Sequence, residues 1–287
     1  MPPSSLAIGK YTAAAIRSQP RDDAPLRSQL LLGEPVRLLM QQDHHATVQR
    51  AEDGLEGYVR LDQLQTVPEQ IWQQQCDAPA FALELFQAML CSSYGLPVTF
   101  GARLPEYDGL QSLHLQQRFV YSGQVLRAEA VDASGDLLIR LARRWLYAPQ
   151  LVGGRTPTGI DGPGLIQLLY RMLGIVLPYT VGGMLSGGRS VDFVEQCQEG
   201  DLAFFDTGQG KVCHLGLILP HSQVLHVHGY VRLDGLDHFG IFDYGCRQYT
   251  HRLRLVKRWL PDRQASEIAL TEDRSAVLPD ARQMAIF

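Results

Sequence analysis

The 287-residue sequence has no cluster of basic side chains, and its formal net charge is −4. Nucleic acid is therefore excluded as the main partner, because such binding needs a concentrated positive footprint. No apolar run approaches the ~20 residues that cross a bilayer, so no membrane span is read. The stretch from Met1 to Pro20 lacks a continuous apolar segment and contains Lys10 and Arg17. No secretory leader is read there, and a cytoplasmic location is the expectation. Cysteine is sparse: Cys76, Cys91, Cys197, Cys213 and Cys246 form no C-x-x-C pair and match no zinc spacing. Such a scattered, odd set suits reduced, mostly buried thiols. No cofactor is expected.

Apolar content is ordinary for a globular chain, and the length suits two or three domains. Residues 6–68 read as short strands broken by turn signals such as Glu52-Asp53-Gly54, the texture of a small barrel. Residues 69–94 read as a helical linker, with Pro79 in the first turn of a second helix that runs through Ala80 to Leu90. Strand texture returns over 95–134, marked by Val98-Thr99-Phe100, Phe119-Val120-Tyr121 and turns at Gly109 and Gly123. Residues 135–261 start with helical segments, Leu137 to Tyr147 and Gly164 to Leu173, the second ending at Gly174 as a C′ glycine. Consecutive strands follow, so the class is α+β. Residues 262–287 are polar and read as a loosely held tail.

The stretch Gly153-Gly154-Arg155-Thr156-Pro157-Thr158-Gly159-Ile160-Asp161-Gly162-Pro163-Gly164-Leu165 is followed by Gly200-Asp201-Leu202-Ala203-Phe204-Phe205, His214-Leu215-Gly216-Leu217 and Leu225-His226. In this order the segments resemble the NlpC/P60 cysteine peptidases. Gln29 to Glu34 and Gly101 to Tyr107 are similar to the bacterial SH3 repeats that precede such domains in enzymes cleaving γ-D-glutamyl bonds of murein peptides. The resemblance implies two small SH3-like β-barrels in front of a papain-like α+β domain. It implies His214 as the base and His226 as the residue that orients it. The nucleophile position is Gly162.

That position decides the chemistry. The family reaction needs a thiolate at a helix N-terminus, where N–H groups and an imidazole lower its pKa. Glycine has no side chain with which to attack. The following serine of the family is Pro163, which suits a helix start but removes a donor from a developing oxyanion. The aromatic pair that walls the family's pocket is Gln150 and Val152. The family's arginine after Leu177-Pro178 is Tyr179. Asp161 survives: the resemblance implies a role in binding a substrate amine, and its residue type suits an N-cap. Neither Cys213 nor Cys246 is a substitute nucleophile, and each reads as a partly buried structural thiol. Arg155 reads as a donor to loop carbonyls, and His44-His45 as solvated. Tyr58, Phe119 and Tyr121 read as barrel core, or one of them as a peptide contact.

A three-residue hairpin loop, Pro220-His221-Ser222, would pair Leu219 with Gln223. His214, His226 and His228 would then share one face. A relic pair with His228 filling space is one reading, and a divalent-metal site is the other. Three functions stay open. The first is a non-catalytic module whose cleft binds a murein peptide or a protein partner. The second is a hydrolase with displaced or metal-assisted chemistry. The third is a structural protein with a vestigial cleft.

Overall fold

The computed structural model describes residues 5–127, 131–192, 196–206 and 210–261. The tail at 262–287 lies outside the described residues. Among the described residues no helix is long and apolar enough to cross a membrane.

Seven short strands open the chain: β1 (Leu6–Gly9), β2 (Ala13–Arg17), β3 (Leu26–Leu31), β4 (Pro35–Gln42), β5 (His45–Arg50), β6 (Glu56–Arg60) and β7 (Leu64–Thr66). They hydrogen-bond in the order β3-β2-β6-β5-β4-β1-β7. Alternation along each strand buries one face, so Ile16, Leu30, Val36, Val48 and Val59 meet in one core. Helix α1 (Glu69–Asp77) begins after Pro68. It closes the barrel's flank with Trp72, whose indole packs with Ile8 and Val67 and donates to the Val36 carbonyl at 3.1 Å.

The helix expected over Ala80 to Leu90 is instead two strands, β8 (Ala80–Ala82) and β9 (Phe86–Leu90). Ala80, Phe81 and Ala82 are all buried, and in β9 only Met89 is. A short apolar run carries no period that tells a buried strand from a helix, and tertiary packing decided. The second β unit therefore starts at Ala80 and continues with β10 (Gly95–Thr99), β11 (Gln111–His114), β12 (Gln117–Tyr121) and β13 (Val125–Arg127). Its sheet order is β10-β9-β12-β11, with β13 paired to β8. Phe119, Tyr121 and Val98 fill its core together with Leu32 from the first unit. Tyr58, by contrast, is only half-buried.

The third unit contains α2 (Gly135–Arg143), the short hairpin β14 (Arg155–Thr156) and β15 (Gly159–Ile160), α3 (Gly162–Arg171) and α4 (Val181–Ser186). Then come β16 (Arg189–Val191), β17 (Leu202–Asp206), β18 (Val212–Leu219), β19 (Gln223–His228), β20 (Tyr230–Leu236), β21 (Gly240–Asp243) and β22 (Gln248–Arg258). The sheet order is β16-β22-β17-β18-β19-β20-β21, and β21 pairs back onto β22, which closes six strands into a barrel. One face of these strands supplies Phe205, Ile218, Val224, Ile241 and Val256 to the barrel's own core. The other supplies Phe204, Leu215, Leu217 and Leu225 to the large core shared with α2 and α3. Helix α3 stops at Gly174, whose φ of +73° lets Ile175 N–H reach the Tyr170 carbonyl at 3.1 Å.

A buried ionic network joins the three units. Glu34 accepts from Arg155 Nη1 at 2.8 Å and Arg171 Nη1 at 2.5 Å. Glu52 accepts from Arg171 Nε at 2.9 Å and Arg103 Nη2 at 2.9 Å. Arg50 pairs with Asp53, which also accepts from Gln167 of α3 at 2.7 Å. Burial opposes ionisation of Glu34, yet the guanidiniums of Arg155, Arg171 and Arg50 hold its carboxyl well below the usual range. Arg155 is thus a donor to the Gln29 carbonyl at 2.8 Å and also a buried ion-pair partner, which its loop context did not announce.

Candidate active site

Asp161 adopts extended backbone just before α3 and caps it. Its Oδ1 accepts from Gly164 N–H at 2.6 Å. Its Oδ2 accepts from Gly153 N–H at 2.8 Å and from the Tyr179 hydroxyl at 3.0 Å. Both oxygens are therefore engaged within the chain. Burial pushes its carboxyl pKa up, against the pull of these donors. Tyr179 stands where the family has arginine, and its ring lies 5.3 Å from the Arg50 guanidinium.

Gly162 and Pro163 form the first turn of α3. A Cβ built on Gly162 would meet Leu215 Cδ2 at 3.5 Å, and no imidazole atom would lie within 4 Å. A side chain would fit here, but none is present. Gln150 is exposed, and its Oε1 accepts from Gly229 N–H at 2.7 Å, tying the loop to the turn between β19 and β20. Val152 is 73% exposed. Neither residue builds the wall that an aromatic pair would.

The β18–β19 hairpin has the three-residue loop: Leu219 pairs with Gln223 and Gly216 with His226. His221 and Ser222 turn the chain with φ of 61° and 53°. This register sets His226 diagonal to His214, and the two rings meet, Nε2 of His214 to Nδ1 of His226, at 2.9 Å. Nε2 of His226 lies 2.8 Å from Asp234 Oδ2. A carboxylate only accepts, so Nε2 of His226 carries its proton and Nδ1 offers a lone pair. His214 then donates from Nε2, which leaves its Nδ1 as the basic atom. Asp234 is held in turn by Arg232, which also pairs with Asp243 at 2.9 Å.

Asp234 and His251 escaped the sequence reading. His251 of β22 stacks on His214 at 4.2 Å between centroids, and the exposed His228 lies 5.2 Å from it. His214 shares its strand face with its partner Phe205, whereas Leu215 points to α3. The imidazoles therefore line the inner side of the closed sheet, and residue 162 packs on its outer side. Burial, then the neighbouring imidazoles, push His214 down to about 2 and His251 down to about 4. Burial also lowers His226, against the opposing pull of Asp234. At neutral pH these rings are uncharged.

Among the described residues, no three or more His, Cys, Asp or Glu form a metal-holding group. His226 has both nitrogens committed, so the set of His214, His226 and His228 does not offer three free ligands. Cys213 and Cys246, expected to be partly buried, are exposed. Cys213 lies where β18 bulges against β17, and Cys246 lies in the turn built on Asp243.

The NlpC/P60 family model matches residues 148–246, which contain the capped helix and both hydrogen-bonded histidines. Residues 148–246 are an NlpC/P60 family domain. A second model, the bacterial dipeptidyl-peptidase SH3 domain, matches residues 16–64 in front of it. The NlpC/P60 chain is 30% identical over 112 residues to a probable endopeptidase p60 of Listeria seeligeri, covering 39% of this chain and 20% of that protein. It is 30% identical over 108 residues to a probable endopeptidase of Haemophilus influenzae, covering 37% of this chain and 65% of that protein. The match thus spans less than two thirds of either relative. An NlpC/P60 family protein from Bacillus cereus shares the fold with a TM-score of 0.77 at 20% identity, over 90% of this chain and all of the other. An NlpC/P60 endopeptidase from Photobacterium damselae subsp. piscicida superposes with a TM-score of 0.65 at 16% identity, over 88% of this chain and 70% of its own.

Proposed function

We propose that this NlpC/P60 chain is non-catalytic and binds a murein peptide or a protein partner through its SH3-like units and its altered cleft. The observation that carries this reading is Gly162: the head of α3 bears no side chain that could act as a nucleophile. The described cysteines nearest in sequence to the histidines, Cys213 and Cys246, are exposed and lie on other segments than the head of α3. Asp161, which would meet a substrate amine in an active relative, is already satisfied by two backbone N–H groups and a tyrosine. The retained relay of His214, His226 and Asp234 holds the barrel end together and presents His228 at the surface. The second β unit, from Ala80 to Arg127, is read as a further SH3-like barrel that adds recognition surface.

The test is calorimetric titration of the full chain with L-Ala-γ-D-Glu-diaminopimelate, with mass spectrometry of the mixture afterwards. Saturable heat with an intact peptide supports the proposal. Cleavage products would contradict it, and the absence of heat would remove the murein peptide as the ligand.

A further inference from the structure

The outer face of the first unit carries a hollow of about 230 Å³. Ala15 and Arg17 of β2, His45 of β5, Tyr58 and Arg60 of β6, and Asp22 line it. Their strand neighbours Ala14, Ile16, Ala46 and Val59 point into the barrel core, so alternation places this set outside. Tyr58 is the aromatic that the sequence left open between core and peptide contact, and it stands in the wall of the hollow. Ala15 contributes only a methyl group, which leaves the space beside the tyrosine free.

Most of the charge here is already spent within the protein. Arg60 donates from Nε and Nη2 to Asp62 at 3.1 and 2.8 Å, and from Nη1 to Asp22 at 2.9 Å. The second oxygen of Asp22 lies 3.3 Å from His45 Nε2. Arg17 differs. It donates from Nη1 to the Ala24 carbonyl at 2.6 Å. Its Nε and Nη2, which share the other edge of the guanidinium, have no acceptor among the described residues and are open to solvent. Tyr58 is the cross-strand partner of Arg17, and its hydroxyl is likewise open and unpartnered among the described residues. The hollow thus presents one uncompensated cation with a free two-donor edge and a phenol beside it. Such an edge matches the two coplanar oxygens of a carboxylate, which it holds bidentately.

We infer that this hollow binds a peptide carboxylate. The two oxygens lie on the Nε and Nη2 edge of Arg17, and the Tyr58 hydroxyl donates to one of them. The inference rests on the reading of the SH3-like units as recognition surface, and it gives that surface a chemistry. A chain end and an acidic side chain carry the same group.

The experiment is calorimetric titration of the full chain at neutral pH with three probes. N-acetyl-alanyl-alanine ends in a free carboxylate, N-acetyl-glutamic acid α-amide carries one on its side chain, and N-acetyl-alanyl-alanine amide has none. At least one carboxylate binds in the millimolar range or tighter, and the uncharged amide binds at least about tenfold more weakly. The tighter of the two carboxylates names the source. Arg17→Gln lowers that affinity at least about tenfold. Tyr58→Phe removes a hydroxyl without a protein partner, so it weakens binding about threefold with the thermal midpoint unchanged. It decides the matter if Arg17→Gln does not fold. No heat from either carboxylate up to about 10 mM would overturn the inference. Equal binding of the amide, tighter binding of inorganic phosphate than of either carboxylate, or undiminished binding in the folded variants would also overturn it. None of the probes contains a γ-D-glutamyl bond, so a failure here leaves the cleft to be decided by its own titration.

Discussion

His226 stands between His214 and Asp234, with one ring nitrogen 2.9 Å from the first and the other 2.8 Å from the second. The carboxylate fixes the tautomer of His226, and His226 fixes that of His214. Asp234→Ala leaves a buried imidazole N–H without an acceptor, which costs about 1–3 kcal/mol. It also strips Arg232 of a partner. Urea unfolding should show a lower midpoint with an unchanged slope. Nitrogen chemical shifts should show that His214 and His226 no longer hold one tautomer each.

The cluster makes stability fall on mild acidification. His251 and His214 have folded-state pKa values of about 4 and about 2, and both titrate near 6.5 when unfolded. Below about pH 6.5 the unfolded chain takes up protons that the folded chain refuses, so stability drops as pH falls toward the folded values. The buried carboxylates add a lower window. Asp53, held at about 2 by Arg50 against the effect of burial, withholds its contribution only as pH falls below about 4. Chemical denaturation at about pH 7.5, 5.5 and 4.5 should show a steady loss of stability. His251→Gln should flatten the upper part of that slope and leave the lower part in place.

The ion network should be far more sensitive than any surface pair. Arg171→Met leaves Glu34 and Glu52 each short of a buried partner, and breaking such a pair costs about 3–5 kcal/mol. Arg140→Ala removes a solvent-exposed partner of Asp136 and should change stability by less than ~1 kcal/mol. Comparing the two variants by urea unfolding checks both statements.

The register of β18 and β19 was legible only on the condition of a three-residue loop, Pro220-His221-Ser222, which the structure has, because register follows from loop length. The helix α3 and its cap were legible for a similar reason: Asp161, Pro163 and Gly174 each have a local preference that the fold obeys. Ala80 to Leu90 was not legible, because its burial depends on β13 and on the first unit packed against it. His251 was hidden for a topological reason. It reaches His214 only because β22 returns beside β17 and β21 closes onto β22. Asp234 left a weak signal: it shares a face with Tyr230 and Arg232 in a strand of period two, one pair away from His226.

A Cβ can be restored on residue 162 without steric penalty, since the nearest atom to it is at ordinary contact distance. Gly162→Cys should fold with stability within about 1 kcal/mol of the parent. It should remain inactive, because Pro163, Gln150, Val152 and the engaged Asp161 are unchanged.

The most direct measurement is prolonged incubation of the parent chain and of Gly162→Cys with L-Ala-γ-D-Glu-diaminopimelate, followed by mass spectrometry for the freed L-Ala-D-Glu. The account predicts an intact peptide with both proteins. Release of the dipeptide by the parent chain would contradict it outright, and release by the cysteine variant alone would show that only the missing sulfur silences the site.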